Sequence, residues 1–397
     1  MENRKLDSQT LFYFCFALWY GMEILFKSML SLPAIENYVT YFVSFLLFIQ
    51  IAFFQTYEPD ELVEIVLISL LIIVITINSN EFYIMSSWLF ILAFRDADLD
   101  KVVKIAYKLL TIGIMLIVGL SVIGAIPDRI LYRGMTVRHS MGFSHPNQFG
   151  LAVFQWVLCR CYLRWHILRP MDYILLGIIA FAVHRIADSQ TAVVCILMVL
   201  MFTLFSKTME YFDIRYEFLL YKVCTCGSII FMVGSLILTW IDVKQYPFFR
   251  LFDLLMSARF SVCHQILKLY GSTFLGQPIY VGNAARTMLG ITYDTYMDNA
   301  YVTLWMRYGL IFALLFIVVY IAQYKLFREF PKVTMVLFIF SIYGIMESGL
   351  YQLYHNIFVL LFAYLLYQEK PWPESFFVLE QSEEDITEQE FQSRMSL

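Results

Sequence analysis

Four short segments gather residue types that bind anions and move protons. The first is Arg138-His-Ser-Met-Gly-Phe-Ser-His145-Pro146-Asn147-Gln-Phe-Gly150, set directly before an apolar run. Pro146 suits the first turn of a helix. His145 and Asn147 then stand at a helix start, where backbone N–H groups and the positive dipole end favour anions. Arg138 and His139 add donors close by. The competing reading is an interfacial turn that only caps its helix. The second segment runs from Ser257-Ala-Arg259-Phe to Tyr270-Gly271 and on to Gly276-Gln277. Arg259 opens the amphipathic stretch SARFSVCHQILKLY, expected as a helix on the outer surface whose basic side chains snorkel. The third is Asp298-Asn299-Ala-Tyr-Val-Thr303-Leu-Trp-Met-Arg307-Tyr-Gly309. Asn299, Thr303 and Arg307 are spaced four apart, so on one helix they share a face within about 80° of arc. Arg307 is expected inside a membrane span, where a charge is costly and by default faces the bundle interior or a cavity. The alternative is a structural ion pair. The fourth is Glu347-Ser-Gly-Leu-Tyr-Gln-Leu-Tyr-His355-Asn356, a polar joint between the last two apolar runs.

The elements that must hold these segments are membrane helices. Apolar residues make up 60% of the 397 and charged residues only 15%, against roughly 45–50% and 25% in soluble domains. The apolar runs are near twenty residues long, the length that crosses about 30 Å of hydrocarbon. The pattern predicts an all-α, polytopic bundle of about 12 spans (11–13). Spans 1–9 fall within residues 1–241, a large extracytoplasmic loop within 242–298, spans 10–12 within 299–368, and an acidic tail within 369–397. The tenth span is expected at 299–323. The tail is too polar to bury a core and is expected to be disordered. With the N-terminus inside, most of the 28 lysines and arginines fall on inside segments, so the positive-inside rule puts both termini in the cytoplasm. All four segments then open on the outer side. Together they suit a phosphorylated polar substrate whose apolar part lies in the bilayer. The first residues, MENRKLDSQT, do not read as a cleavable signal, and a net charge of −4 gives no reason to expect nucleic acid.

Metal and disulfide chemistry find little support in the residue spacing. Cys224 and Cys226 lie inside an apolar run with no histidine or second pair nearby, which is not a zinc pattern. Only Cys263 of the seven cysteines is placed in an outer loop, so no extracytoplasmic disulfide framework is expected. Asp96-Ala-Asp98 has the D-x-D form of a metal-diphosphate site, but a helix cap at a short turn explains it more simply. No metal and no cofactor is expected.

The Arg138-His139…Gly142-Phe143-Ser-His145-Pro146-Asn147 block resembles the Wzy-type polysaccharide polymerases of capsule, exopolysaccharide and O-antigen clusters, relatives of the O-antigen ligases. So do Arg259…Gly276-Gln277 and Asp298-Asn299…Arg307-Tyr308-Gly309, and the plan with one large outer loop in the C-terminal third. The family often carries Ser-Arg where this chain has Ser189-Gln190, and Arg185 is the nearest basic substitute. The resemblance implies a membrane glycosyltransferase of the bacterial cytoplasmic membrane. A polyprenyl-diphosphate-linked oligosaccharide is the implied donor, and a second lipid-linked repeat unit the acceptor. A chain-length regulator and a flippase are expected partners. Arg138, Arg259 and Arg307 are then expected on the diphosphate. His145, His355, Asp298 and Glu347 are candidates for the catalytic base, and His139, Asn147, Asn299 and Asn356 for orienting substrate. An O-antigen-type ligase, or a flippase for the same lipid-linked sugar, are the alternatives.

Overall fold

Prolines and polar caps open the helices that the apolar runs extend. The computed structural model describes residues 2–30, 33–292, 295–367, 370 and 372–373. Helices α1 (Glu2–Phe26), α2 (Pro33–Ile49), α3 (Pro59–Ser79), α4 (Tyr83–Ala93) and α5 (Leu99–Val122) come first. Glu58 and Glu61 form a reciprocal capping box in front of α3, and Asp98 caps α5 by accepting the Lys101 N–H at 2.8 Å. A hairpin of β1 (Ile130–Arg133) and β2 (Thr136–His139) follows, with Ile130 opposite His139. Next come α6 (Pro146–Leu163), α7 (Pro170–Ala187), α8 (Gln190–Tyr211) and α9 (Glu217–Trp240). Four shorter helices, α10 (Pro247–Leu255), α11 (Arg259–Tyr270), α12 (Gly282–Leu289) and α13 (Ala300–Tyr308), lead to α14 (Leu310–Leu326) and α15 (Pro331–Met346). A 3₁₀ segment, Ile357–Phe362, runs into α16 (Ala363–Leu366).

Apolar side chains go to two places. Phe12, Phe16, Tyr20, Phe90, Phe94 and Phe154 are buried in an aromatic-rich core. Phe48, Leu67, Met115, Phe181, Met201 and Ile230 instead face outward. Outward apolar faces on this scale mark a lipid contact, and the chain is a helical membrane-embedded protein. Seven helices are long and apolar enough to cross: α1, α2, α3, α5, α7, α8 and α9. α14, α15 and the Ile357–Leu366 segment are apolar but shorter. α6 has 18 residues, most of them buried, and packs against α5, α7 and α8. A helix enclosed by others can carry Asn147, Gln148, Gln155 and Arg160 without facing lipid.

Polar contacts define the two ends of the bundle. At the hairpin end Lys27 pairs with Glu36 at 3.2 Å, Ser144 N–H donates to the Lys27 carbonyl, and Arg133 meets Asp188 at 3.4 Å. At the opposite end Ser8 donates to Asp96 at 3.0 Å, Arg95 pairs with Glu61, and Arg160 with Asp172. Asp96 and Asp98 are thus bound up in a contact between helices and a cap.

Two expectations change. The tenth span does not begin at 299. α13 packs against α3, α9 and α15, and α14 starts only after a break at Gly309. Leu310 N–H donates to the Thr273 carbonyl and Gln277 N–H to that of Arg307, so residues 273–277 seal the break. Arg307 therefore lies in the hairpin-end layer, not inside a span. The 257–270 stretch forms α11, which buries Phe260, Cys263, His264 and Ile266 against α9 and leaves Gln265, Lys268 and Leu269 exposed. The segment expected as a tail from 369 has residues inside the fold. Lys370 is buried with its ammonium on the carbonyls of Phe94, Arg95 and Ala97 at 2.6, 3.1 and 2.7 Å. Trp372 packs on Phe327, Phe330 and Tyr364. Residues 374–397 lie outside the described residues.

Candidate functional site

The hairpin and the start of α6 are locked by Arg138. Its Nε donates to the Ala187 carbonyl at 2.9 Å and its Nη2 to Asn147 Oδ1 at 2.6 Å. It is 6% exposed, so it orients Asn147 and ties β2 to the end of α7. Pro146 is the first helical residue, as its fixed φ favours, and His145 is the cap: Nδ1 accepts the Asn147 N–H at 3.0 Å. Burial first, then Arg138, Arg129 and Arg133, push the His145 pKa down to about 4. It is a neutral imidazole at physiological pH, as an acceptor cap must be. His139 turns away, with Nδ1 2.6 Å from Asp128 at the base of the hairpin.

Asn147 faces two adjoining cavities. One is lined by Arg133, Gln190, Thr191, Met256, Ser257 and Arg259. The other is lined by Gln148, Ser189, Thr191, Tyr343, Glu347 and His355. Each is small, about 20 Å³, with room for ordered water. Glu347 is the first residue past α15 and accepts from the Thr191 hydroxyl at 3.1 Å. Burial raises its pKa to about 7; Asp298 adds to this, and Arg259, the Thr191 hydroxyl and Arg133 oppose it. His355 Nδ1 lies 2.7 Å from the Tyr343 hydroxyl. Arg259 donates to the Asp298 carbonyl at 3.0 Å, and burial raises the Asp298 carboxyl as well, against the pull of Arg259. The arrangement supplies guanidinium groups for an anion, a carboxyl that ionises near neutrality, and an imidazole beside it.

The structure thus brings Asn147, Arg259, Glu347 and His355 onto the cavities, with Arg138 and Asp298 behind them. Other expected site residues are engaged elsewhere. Asn299 is the cap of α13, accepting from Tyr301 and Val302 at 3.1 Å and donating to Ser235. As a cap it leaves the helical face it was expected to share with Thr303 and Arg307. Asn356 caps the 3₁₀ segment in the same way. Arg307 pairs with Glu81 at 2.7 Å and donates to the Ile279 carbonyl at 2.9 Å. Arg133 was not singled out from the sequence, yet it lines the cavity beside Gln190. It stands there instead of Arg185, which is exposed at the end of α7 and lines neither cavity. No spacing in the sequence marks it; its place depends on the β1–β2 pairing, in which Arg133 stands opposite Thr136. No protein-family model, curated protein or solved structure matches this chain.

Proposed function

We propose that this chain is a membrane glycosyltransferase that joins polyprenyl-diphosphate-linked oligosaccharide repeat units at the outer face of the bacterial cytoplasmic membrane. What carries the reading is the meeting of Arg133, Arg259, Asn147, Glu347 and His355 on adjoining cavities at one end of an apolar bundle. The topology that goes with it has about twelve crossings and both termini in the cytoplasm. The motif resemblance to Wzy-type polymerases supports the same reading.

The chemistry follows from the residues. An acceptor hydroxyl attacks the anomeric carbon of the donor sugar. The bond from that carbon to the diphosphate oxygen breaks, and polyprenyl diphosphate leaves. Arg133 and Arg259 stabilise the charge that builds on the leaving oxygen through charge-assisted hydrogen bonds. Glu347, when ionised, takes the proton of the attacking hydroxyl, and His355 is the neighbouring alternative. Asn147, held by Arg138, orients the sugar. Because the cavities are small in this structure, the outer segment over them must shift to admit a sugar.

The test is a strain lacking the gene, complemented with variants, in which surface polysaccharide is sized. Arg259→Ala, Arg133→Ala and Glu347→Gln proteins should insert normally and leave product one repeat long. Long chains from all three would overturn the site. In liposomes the purified protein should lengthen lipid-linked substrate. Movement across the bilayer without lengthening would favour the flippase, and transfer to a different acceptor the ligase.

A further inference from the structure

We infer that α10 beds its apolar face into the leaflet at the hairpin end of the bundle, and thereby sets the depth of the Leu255–Arg259 corner beside the lipid headgroups. Phe248, Leu251, Phe252 and Leu255 recur at the i, i+3, i+4, i+7 spacing of a single stripe about 100° wide, and Leu254 flanks it. Phe248 is 77%, Leu251 61%, Leu254 63% and Leu255 73% exposed. The helix cannot roll to hide them. On its other side Asp253 is buried, and its Oδ1 accepts the N–H groups of Phe260 and Ser261 at 2.9 and 3.3 Å. Phe252 also stacks on Phe260 at one edge of the stripe. The corner to α11 is equally fixed. Ser257 and Ala258 both take left-handed φ, +58° and +59°, a conformation that non-glycine residues hold only under constraint. The Ala258 N–H donates to the Asp253 carbonyl at 2.7 Å and the Tyr296 hydroxyl to that of Ser257 at 3.0 Å.

Two observations identify lipid as the occupant. The stripe continues a lipid-facing wall: Ile230, Ile237 and Trp240 of α9 are exposed, and residues 241–246 alone separate that wall from α10. Lys244, just before α10, and Arg250, on the face of α10 away from the stripe, are both exposed. An apolar face opposite cations is the pattern of a helix lying in a membrane interface with anionic headgroups. The corner so anchored supplies Leu255, Met256, Ser257 and Arg259 to the candidate site. An arginine held at that depth meets phosphate oxygens of a lipid-linked substrate without either partner leaving the interface. The bedding itself does not depend on the glycosyl-transfer reading.

The test uses nitroxide labels on the full-length protein in phosphatidylethanolamine–phosphatidylglycerol vesicles. Six native cysteines are buried and Cys226 is exposed, so Cys226→Ser gives a quiet background. Labels at Phe248→Cys, Leu251→Cys and Leu255→Cys should be relaxed more strongly by oxygen than by a water-soluble nickel chelate. A label at Arg250→Cys should show the reverse. Nickel prevailing at the stripe would place it in water and overturn the inference. Immobile labels that neither agent reaches would mean a protein partner or a second copy, and would overturn it too. If a stripe variant inserts poorly, Leu254→Cys at the stripe edge gives the same comparison.

Discussion

At Glu347 burial and Asp298 oppose ionisation while Arg259, Thr191 and Arg133 favour it, and the balance puts its pKa at about 7. A general base works only when ionised. Under the proposed chemistry, chain lengthening should therefore climb as pH rises through about 7 and level off above it. Glu347→Gln should flatten that profile and lower the rate on the order of 10²–10⁴-fold. A lengthening assay across pH reads both, and an unchanged profile in Glu347→Gln would exclude Glu347 as the base. The two hairpin arginines should behave differently. Arg138→Ala leaves half-buried Asn147 and the buried Ala187 carbonyl short of a donor, at a cost of about 1–3 kcal/mol for the carbonyl. Its melting temperature should drop along with its activity. Arg133 is exposed and pairs at 3.4 Å with Asp188. Arg133→Ala should leave stability within about 0.5 kcal/mol while lengthening fails.

Between elements, the junction of α13 and α14 depends on two glycines passing each other. Gly309 has φ +97°, and a Cβ there would run into the Phe274 carbonyl and the Gly276 nitrogen; a Cβ on Gly276 would come within 2.6 Å of the Arg307 carbonyl. Those atoms are backbone and cannot swing aside. Gly309→Ala should destabilise by about 1–3 kcal/mol, visible as a lower melting temperature in detergent. The Arg307–Glu81 pair ties the same junction to the turn between α3 and α4. Arg307→Ala and Glu81→Ala should each lower stability, and the double variant should lose less than their sum, with coupling of about 0.5–3 kcal/mol. Additive losses would mean that Arg307 acts without Glu81, as a diphosphate ligand would. The capping roles of His145 and Asn299 were open to local reasoning, since a cap engages residues two or three along. The partner of Arg307 was not, because Glu81 lies 226 residues away.

For the whole molecule the proposed topology makes a labelling prediction. Met135 at the hairpin tip is 102% exposed, and Tyr211 at the far end of α8 is 83% exposed. In a Cys226→Ser background, Met135→Cys should react with a membrane-impermeant maleimide in intact cells. Tyr211→Cys should react only after permeabilisation. The opposite pattern would turn the bundle over and put the candidate site in the cytoplasm. At the Tyr211 end, several polar side chains close on main-chain carbonyls: Gln50 and Gln55 donate to the Ala93 carbonyl, and Lys370 closes on the turn before α5.

Hydropathy is a local sum over a window, so the sequence by itself determined that the chain is a helical membrane protein. It also determined where most apolar runs begin and end, and which four polar segments interrupt them. Helix starts at Pro146 and Asp98 were legible for the same reason. Only the tertiary structure decided which polar residues meet. It drew Arg133, Arg259, Glu347 and His355 onto adjoining cavities, sent His139 to Asp128 and Arg307 to Glu81, and turned Asn299 and Asn356 into caps. It also left the apolar stripe of α10 exposed. Side-chain pairing is set by contacts between residues far apart in the chain, and a helical run shows which residues share a face but not what that face will touch.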